Sequence, residues 1–308
     1  MKSITLATSE NKLAIWQTNH IKELLKSHYP QLDIYTKIIR SQYMTNNDFD
    51  LNDEIPEIYY NLEMEEQLFN NDIQIAIHNT KHLSNKITSG LMIAGYSKRD
   101  YSENVFVSFH GEKIDDDLDK FTVGITNFKD LVLMKKYYPH IKIVILTGDL
   151  KSLIFKVKNL KLNGIILDKI NVNRLNASKI PTEDLKISKF MPSAGQGATA
   201  MITLNHRFDI IELLQPILDK EAYDTVTAER AFINKLNINN NYPVGVFAKY
   251  QDNKKLSITG FVASADGKLF IKENLTKPLR SNSDAIGKKL ANVFLKNDKF
   301  NKIIDSYN

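Results

Sequence analysis

The chain has 308 residues, 43% of them apolar and 25% charged, with a formal net charge of +5 and no cysteine. That length and composition suit a globular protein of two or three domains whose core needs no staples. The missing cysteine excludes disulfides, thiolate metal sites, a cysteine nucleophile and any thioether-anchored group, and no apolar run is long enough to cross a bilayer.

Residues 4–7 form a short apolar run. The opening MKSITLATSE is too briefly apolar for a secretory signal, so a cytoplasmic protein is expected. Leu13, Ile15, Trp16, His20, Ile21, Leu24 and Leu25 recur near helical spacing and predict a helix over about 12–27. Residues 32–38 alternate as a strand does, and 44–56 read as a polar loop. A helix over 60–70 and a strand over 73–77 complete a βαβαβ order, which predicts a sheet with helices on its faces. The unit repeats with strands over 104–109 and 121–126, a helix over 128–138 and a buried strand over 141–146. A lysine-rich helix over 150–162 and a strand over 164–167 follow. Two α/β lobes in series are expected, with a small-molecule ligand in the cleft between them.

The last third changes character. Helices over 208–218 and 223–236 precede strands over 244–250, 256–264 and 268–272, the last two joined by the hairpin signal Asp266-Gly267. A closing helix is expected from Ser283 or Asp284 to about 296. Lys151, Lys156, Lys158 and Lys161 fall at helical spacing among Leu and Ile, which favours a solvated face over a phosphate or nucleic-acid site. The net charge is read the same way. His78 and His82 are spaced as a helical metal pair, yet Asn79 stands where a zinc protease needs Glu and no third ligand is evident, so no metal is expected.

Four stretches, in this order, resemble the porphobilinogen deaminase (hydroxymethylbilane synthase) family. They are Leu6-Ala7-Thr8 with Leu13-Ala14-Ile15-Trp16-Gln17; residues 72–81, DIQIAIHNTK; residues 191–198, MPSAGQGA; and residues 226–231, VTAERA. Each alone is weak, but their order and separation across nearly the whole chain are specific. The resemblance implies an α/β protein of three domains. Two are periplasmic-binding-protein-like α/β lobes, residues 1–97 with 194–216 and residues 98–193, and the third is a small α+β C-terminal domain, residues 217–308. It also implies a reaction: stepwise addition of four porphobilinogen units, each losing ammonia, to a dipyrromethane cofactor held by a cysteine thioether.

At the family's functional positions the chain departs from the pattern. Residues 236–245, LNINNNYPVG, match the cofactor loop Leu-x-Gly-Gly-Cys-x-x-Pro-x-Gly, and Asn240 falls on the cysteine. Ile238 and Asn239 replace the two glycines. The family's catalytic aspartate, which stabilises charge developing on a pyrrole nitrogen, corresponds to His82, after Lys81, which matches the family lysine. A neutral imidazole there carries no compensating charge. Arginines that hold the acetate and propionate groups fall on Ser9, Lys129, Asp130, Thr147 and Leu153, and Arg174 is retained. Both lysines of the matching 57–63 region are absent.

The expectation is a degenerate family member, a pseudoenzyme that takes a small molecule between its lobes or an unknown protein partner. It is expected to be a monomer, with no nucleic acid, membrane, metal or bound cofactor. No catalytic residue is assigned; His82 and Asn240 mark the degenerate positions. Lys81, Thr126, Asn127, Lys129, Arg174 and Gln196 are the candidate ligand-binding residues, while Trp16, Glu229 and Arg230 are read as scaffold. The alternative is a divergent hydroxymethylbilane synthase of tetrapyrrole (heme) biosynthesis, holding its primer without a covalent bond and using His82 or a nearby carboxylate. A nonenzymatic anion or nucleic-acid binder rests on net charge alone.

Overall fold

A computed structural model describes residues 2–40, 57–116, 121–174, 180–238, 242–252, 255–279 and 282–307. In chain order the elements are β1 (Ser3–Ser9), α1 (Lys12–His28), β2 (Asp33–Ile39), α2 (Glu57–Phe69), β3 (Ile75–Asn79), β4 (Leu91–Tyr96) and β5 (Asn104–Val107). Then come β6 (Thr122–Ile125), α3 (Phe128–Tyr137), β7 (Lys142–Ile145), α4 (Leu150–Asn159), β8 (Gly164–Asp168), α5 (Lys169–Arg174) and β9 (Thr182–Asp184). The chain continues with β10 (Thr199–Leu204), α6 (Phe208–Leu214), α7 (Lys220–Leu236), β11 (Val244–Asp252), β12 (Lys255–Ala263), β13 (Phe270–Pro278), α8 (Ser283–Leu295) and α9 (Asp298–Asp305). The expected loop over 44–56 and the run Asn239, Asn240 and Asn241 lie outside the described residues.

The fold is α/β, with two five-stranded sheets and a three-stranded C-terminal sheet. The chain divides into two compact units. One is Met1–Asp100 with Gly197–Tyr223, and the other is Tyr101–Gln196 with Asp224–Asn308.

In the first unit the strand order is β2-β1-β3-β10-β4. β1 runs parallel to β2 and β3, and β10 runs antiparallel to β3 and β4. Alternation along β1 and β3 puts Ile4, Leu6, Ile75 and Ile77 on one face, where Met201 joins them. Ile21 and Leu25 of α1 and Ile210 and Leu214 of α6 close that core.

In the second unit the five-stranded sheet runs β7-β6-β8-β5-β9, and β11, β12 and β13 form an antiparallel meander. The two sheets share apolar packing: Phe261 and Ala263 of β12 lie in one buried cluster with Phe106, Val132, Phe190 and Met191. Val246 N–H donates to the Pro192 carbonyl at 3.0 Å, so the chain entering from 190 lies against β11. This close approach explains the glycine in the Pro243-Val244-Gly245 strand start. A Cβ on Gly245 would lie 2.4 Å from the Phe261 ring and 3.0 Å from the Met191 carbonyl oxygen. Behind the meander, Phe232 of α7 meets Phe294 of α8 edge-on, ring centroids 5.1 Å apart.

Two expectations are corrected. The strand expected to be buried is the sheet edge β7, where Ile145 is 62% exposed. The helix expected over 208–218 stops as α-helix at Leu214 and tightens into a 3-10 turn over Gln215–Ile217 containing Pro216, whose ring cannot continue the ladder.

Candidate functional site

The first unit gathers polar side chains where β1 and β3 end. The register sets Ala7 beside Ala76 and Thr199 beside Asn79, so Thr8, Asn79 and Thr199 sit at one end of the sheet. There α1 begins, with Asn11 Oδ1 accepting from Leu13 N at 2.8 Å. One turn on, Gln17 is buried and its Nε2 donates to Thr199 Oγ1 at 3.0 Å. Thr8 Oγ1, Gln17 Oε1 and Thr80 Oγ1 are buried and meet no hydrogen-bond partner among the described residues. Buried polar atoms without partners are rare, and each calls for a reason. With Ser9 they are a buried group of polar, uncharged side chains at this end of the sheet.

After β3 comes a single 3-10 turn, Thr80–His82, with Asn79 Oδ1 3.4 Å from Lys81 N. Lys81 is half-buried and His82 is exposed. His78 is still in the strand, 5% exposed, so the two histidines do not form a helical pair. Among the described residues no group of three or more His, Cys, Asp or Glu could hold a metal.

Burial pushes the His78 imidazole down to about 4, from the ordinary 6.5. The folded chain therefore resists a proton that the unfolded chain accepts. The stability this provides is complete above pH 6.5 and is lost as pH falls toward 4, by up to about 3 kcal/mol. Trp16, the single tryptophan, lies in α1 of the same unit and reports its unfolding. Urea titrations at pH 7 and pH 4.5 should show a larger loss for the natural chain than for His78→Gln. Equal losses would show that His78 does not titrate on unfolding.

In the second unit, α3 begins beside β5. Asn127 caps it, its Oδ1 accepting from Asp130 N at 2.8 Å. Lys129 and Asp130 are 6% and 1% exposed. Lys129 Nζ donates to the Met191 carbonyl at 2.8 Å and lies 3.2 Å from Asp130 Oδ1. Asn104 Nδ2 donates to both Asp130 oxygens at 3.2 Å, and Asn127 Nδ2 donates to Oδ2 at 2.7 Å. Gln196 extends the network, its Nε2 donating to Asn104 Oδ1 and to the Ser102 carbonyl, each at 2.8 Å. Gln196 Oε1 in turn accepts from Ser193 N at 3.3 Å.

On the other side of that turn, Gly195 takes a left-handed conformation, φ 72°, and its N–H donates to Glu229 Oε2 at 2.7 Å. Glu229 Oε1 accepts from Ala248 N of β11 at 2.8 Å. Asp224 accepts from Tyr250 Oη at 2.6 Å and Ser283 Oγ at 2.8 Å, tying α7 to the meander and to α8.

Of the candidate ligand-binding residues, the structure brings Asn127, Lys129 and Gln196 together in one internal network. Thr126 is half-buried just past β6, and Lys81 belongs to the first unit. Arg174 ends α5; its side chain, like all of Asn240, lies outside the described residues. Asn104, central to the network, carries no signal in a chain so rich in asparagine. Thr8, Gln17 and Thr80 lie inside the quoted family stretches, but only the fold shows that their polar atoms are orphaned.

The porphobilinogen deaminase dipyrromethane-cofactor-binding domain matches residues 4–212, and the porphobilinogen deaminase C-terminal domain matches residues 223–296. The chain is 30% identical over 295 residues to the porphobilinogen deaminase of Francisella tularensis subsp. novicida, covering 94% of this chain and 95% of that one. The chain belongs to the porphobilinogen deaminase family. The family's enzyme from Syntrophomonas wolfei is 29% identical over 268 residues, covering 87% of each chain. Among solved structures, the methionine-binding protein MetQ aligns at a TM-score of 0.40 and 12% identity over 73% of this chain and 91% of its own.

Asp130, at a position where the resemblance implies an arginine, is surrounded by donors within the protein. Lys129 likewise directs its ammonium to Asp130 and to a main-chain carbonyl. Ser9, at another expected arginine, is buried and carries no charge.

Proposed function

We propose that this chain is a porphobilinogen deaminase-family protein that has lost the polymerising reaction and acts as a pseudoenzyme, binding a small, weakly acidic ligand or a protein partner. The observation that carries the reading is the buried Lys129–Asp130 pair. Where the resemblance calls for two arginines facing ligand carboxylates, these side chains are shielded from solvent and bonded to each other and to neighbouring groups. A polycarboxylate chain loses a bidentate partner at each such position, and each charge-assisted contact contributes about 1.5–3 kcal/mol. Two further features support the reading. No cysteine exists to carry a dipyrromethane, and a histidine stands where the aspartate should stabilise charge. The protein is read as a cytoplasmic monomer without nucleic acid or membrane contacts; among the described residues no helix is long and apolar enough to cross a membrane.

The test is direct. Incubated with porphobilinogen, the purified chain is expected to give no hydroxymethylbilane, and no uroporphyrin after cyclisation and oxidation, above a protein-free control. Its intact mass is expected to equal that of the bare polypeptide. Sustained turnover, or a mass raised by a dipyrromethane, would overturn the reading and support the divergent synthase.

A further inference from the structure

We propose that Asp130 is a built-in counter-anion, occupying a seat for a small carboxylate that Lys129, Asn104 and Asn127 form in the second unit. The proposal concerns this seat alone and holds whether or not porphobilinogen is turned over.

The seat consists of donors. Lys129 Nζ lies 3.2 Å from Oδ1, Asn104 Nδ2 lies 3.2 Å from both oxygens, and Asn127 Nδ2 lies 2.7 Å from Oδ2. The orientation of each carboxamide is fixed from behind, by groups other than the Asp130 carboxylate. Asn104 Oδ1 receives Gln196 Nε2 at 2.8 Å, which turns its amino group toward the carboxylate. Asn127 Oδ1 receives the main-chain N–H of residue 130 at 2.8 Å, with the same result. Lys129 is held by the Met191 carbonyl at 2.8 Å. None of these three restraints needs the residue 130 side chain, so removing it leaves fixed donors around a vacated carboxylate position. A preorganised, desolvated set of donors with one ammonium favours an anion of the removed group's size.

Asp130→Ala removes one carboxylate group, and formate supplies one. The variant in chloride is expected to unfold about 10 °C below the natural chain, since a buried cation has lost its partner. Added sodium formate should raise its midpoint saturably by about 5 °C, as ligand binding to the folded state does, while chloride at equal ionic strength does not. Acetate, with a methyl group to place, should rescue less. The natural chain, its seat filled, should show no saturable response to formate. The double variant Lys129→Met/Asp130→Ala, lacking the ammonium, should lose the rescue. If Asp130→Ala fails to fold in chloride, refolding yield in formate against chloride gives the same reading. A midpoint or a yield equal in formate and chloride, zero yields included, overturns the proposal. So does an undiminished rescue in the double variant.

Discussion

Asp130→Arg introduces the residue type that the resemblance implies at this position, and is expected to destabilise the second unit by about 4 kcal/mol. Arginine has no acceptor atom. Placed at a position 1% exposed, it would set a second cation beside Lys129, 3.2 Å from the present carboxylate. It would also leave Asn104 Nδ2 and Asn127 Nδ2 without their acceptor. Each buried donor left unmade costs about 1–3 kcal/mol, and a buried unpaired charge costs more. Trp16 fluorescence should barely register the change, because it lies in the other unit. Hydrogen exchange of peptides from β5 and α3 should register it as roughly a thousandfold loss of protection. Exchange as slow as in the natural chain would mean that this network does not hold those elements.

Much of this was legible in the sequence, and the gaps have physical causes. α1, with its apolar stripe and the Asn11 cap, follows the expected helix closely, and Asp266-Gly267 turns the hairpin as the signal implies, with Gly267 at φ 73°. β7 reads as buried because Ile, Val, Ile and Leu lie in one short run, yet the run sits at a sheet edge, and edge position is a property of topology that no local pattern encodes. β4 and β10 escaped notice because neither alternates: both are short, and β10 is buried throughout. α9 is a short polar-rich segment whose apolar contacts, Phe300 and Ile303, become meaningful only against the meander. The departures that the resemblance implies at Lys129 and Asp130 are a reading of the sequence, but what surrounds these side chains is a property of the fold. Asp130 meets Asn104 from 26 residues away and Lys129 meets Met191 from 62. Asp130 is, in the fold, a satisfied internal carboxylate.

Glu229→Ala is expected to be similarly costly, about 4 kcal/mol. Glu229 is fully buried, and its two oxygens accept from Gly195 N at 2.7 Å and Ala248 N at 2.8 Å. A hydrogen bond to a charged group contributes about 1.5–3 kcal/mol, and alanine leaves both N–H groups buried without an acceptor. Glu229→Gln should recover less than its shape suggests. It keeps one oxygen, but its amino group must face the second N–H, donor against donor. Gly195 belongs to a turn already held on its other side, where Gln196 donates to Ser102 and Asn104. The carboxylate of Glu229 therefore holds the 193–196 turn against β11, while Gln196 holds it against the start of β5. Amide exchange at Gly195 and Ala248 should accelerate roughly a thousandfold in Glu229→Ala, since each 1.4 kcal/mol is a factor of ten. Elements of the first unit should keep their protection. If both amides remain as protected as in the natural chain, the carboxylate is not what holds the turn, and the packing of Gly245 beneath Met191 must hold it instead.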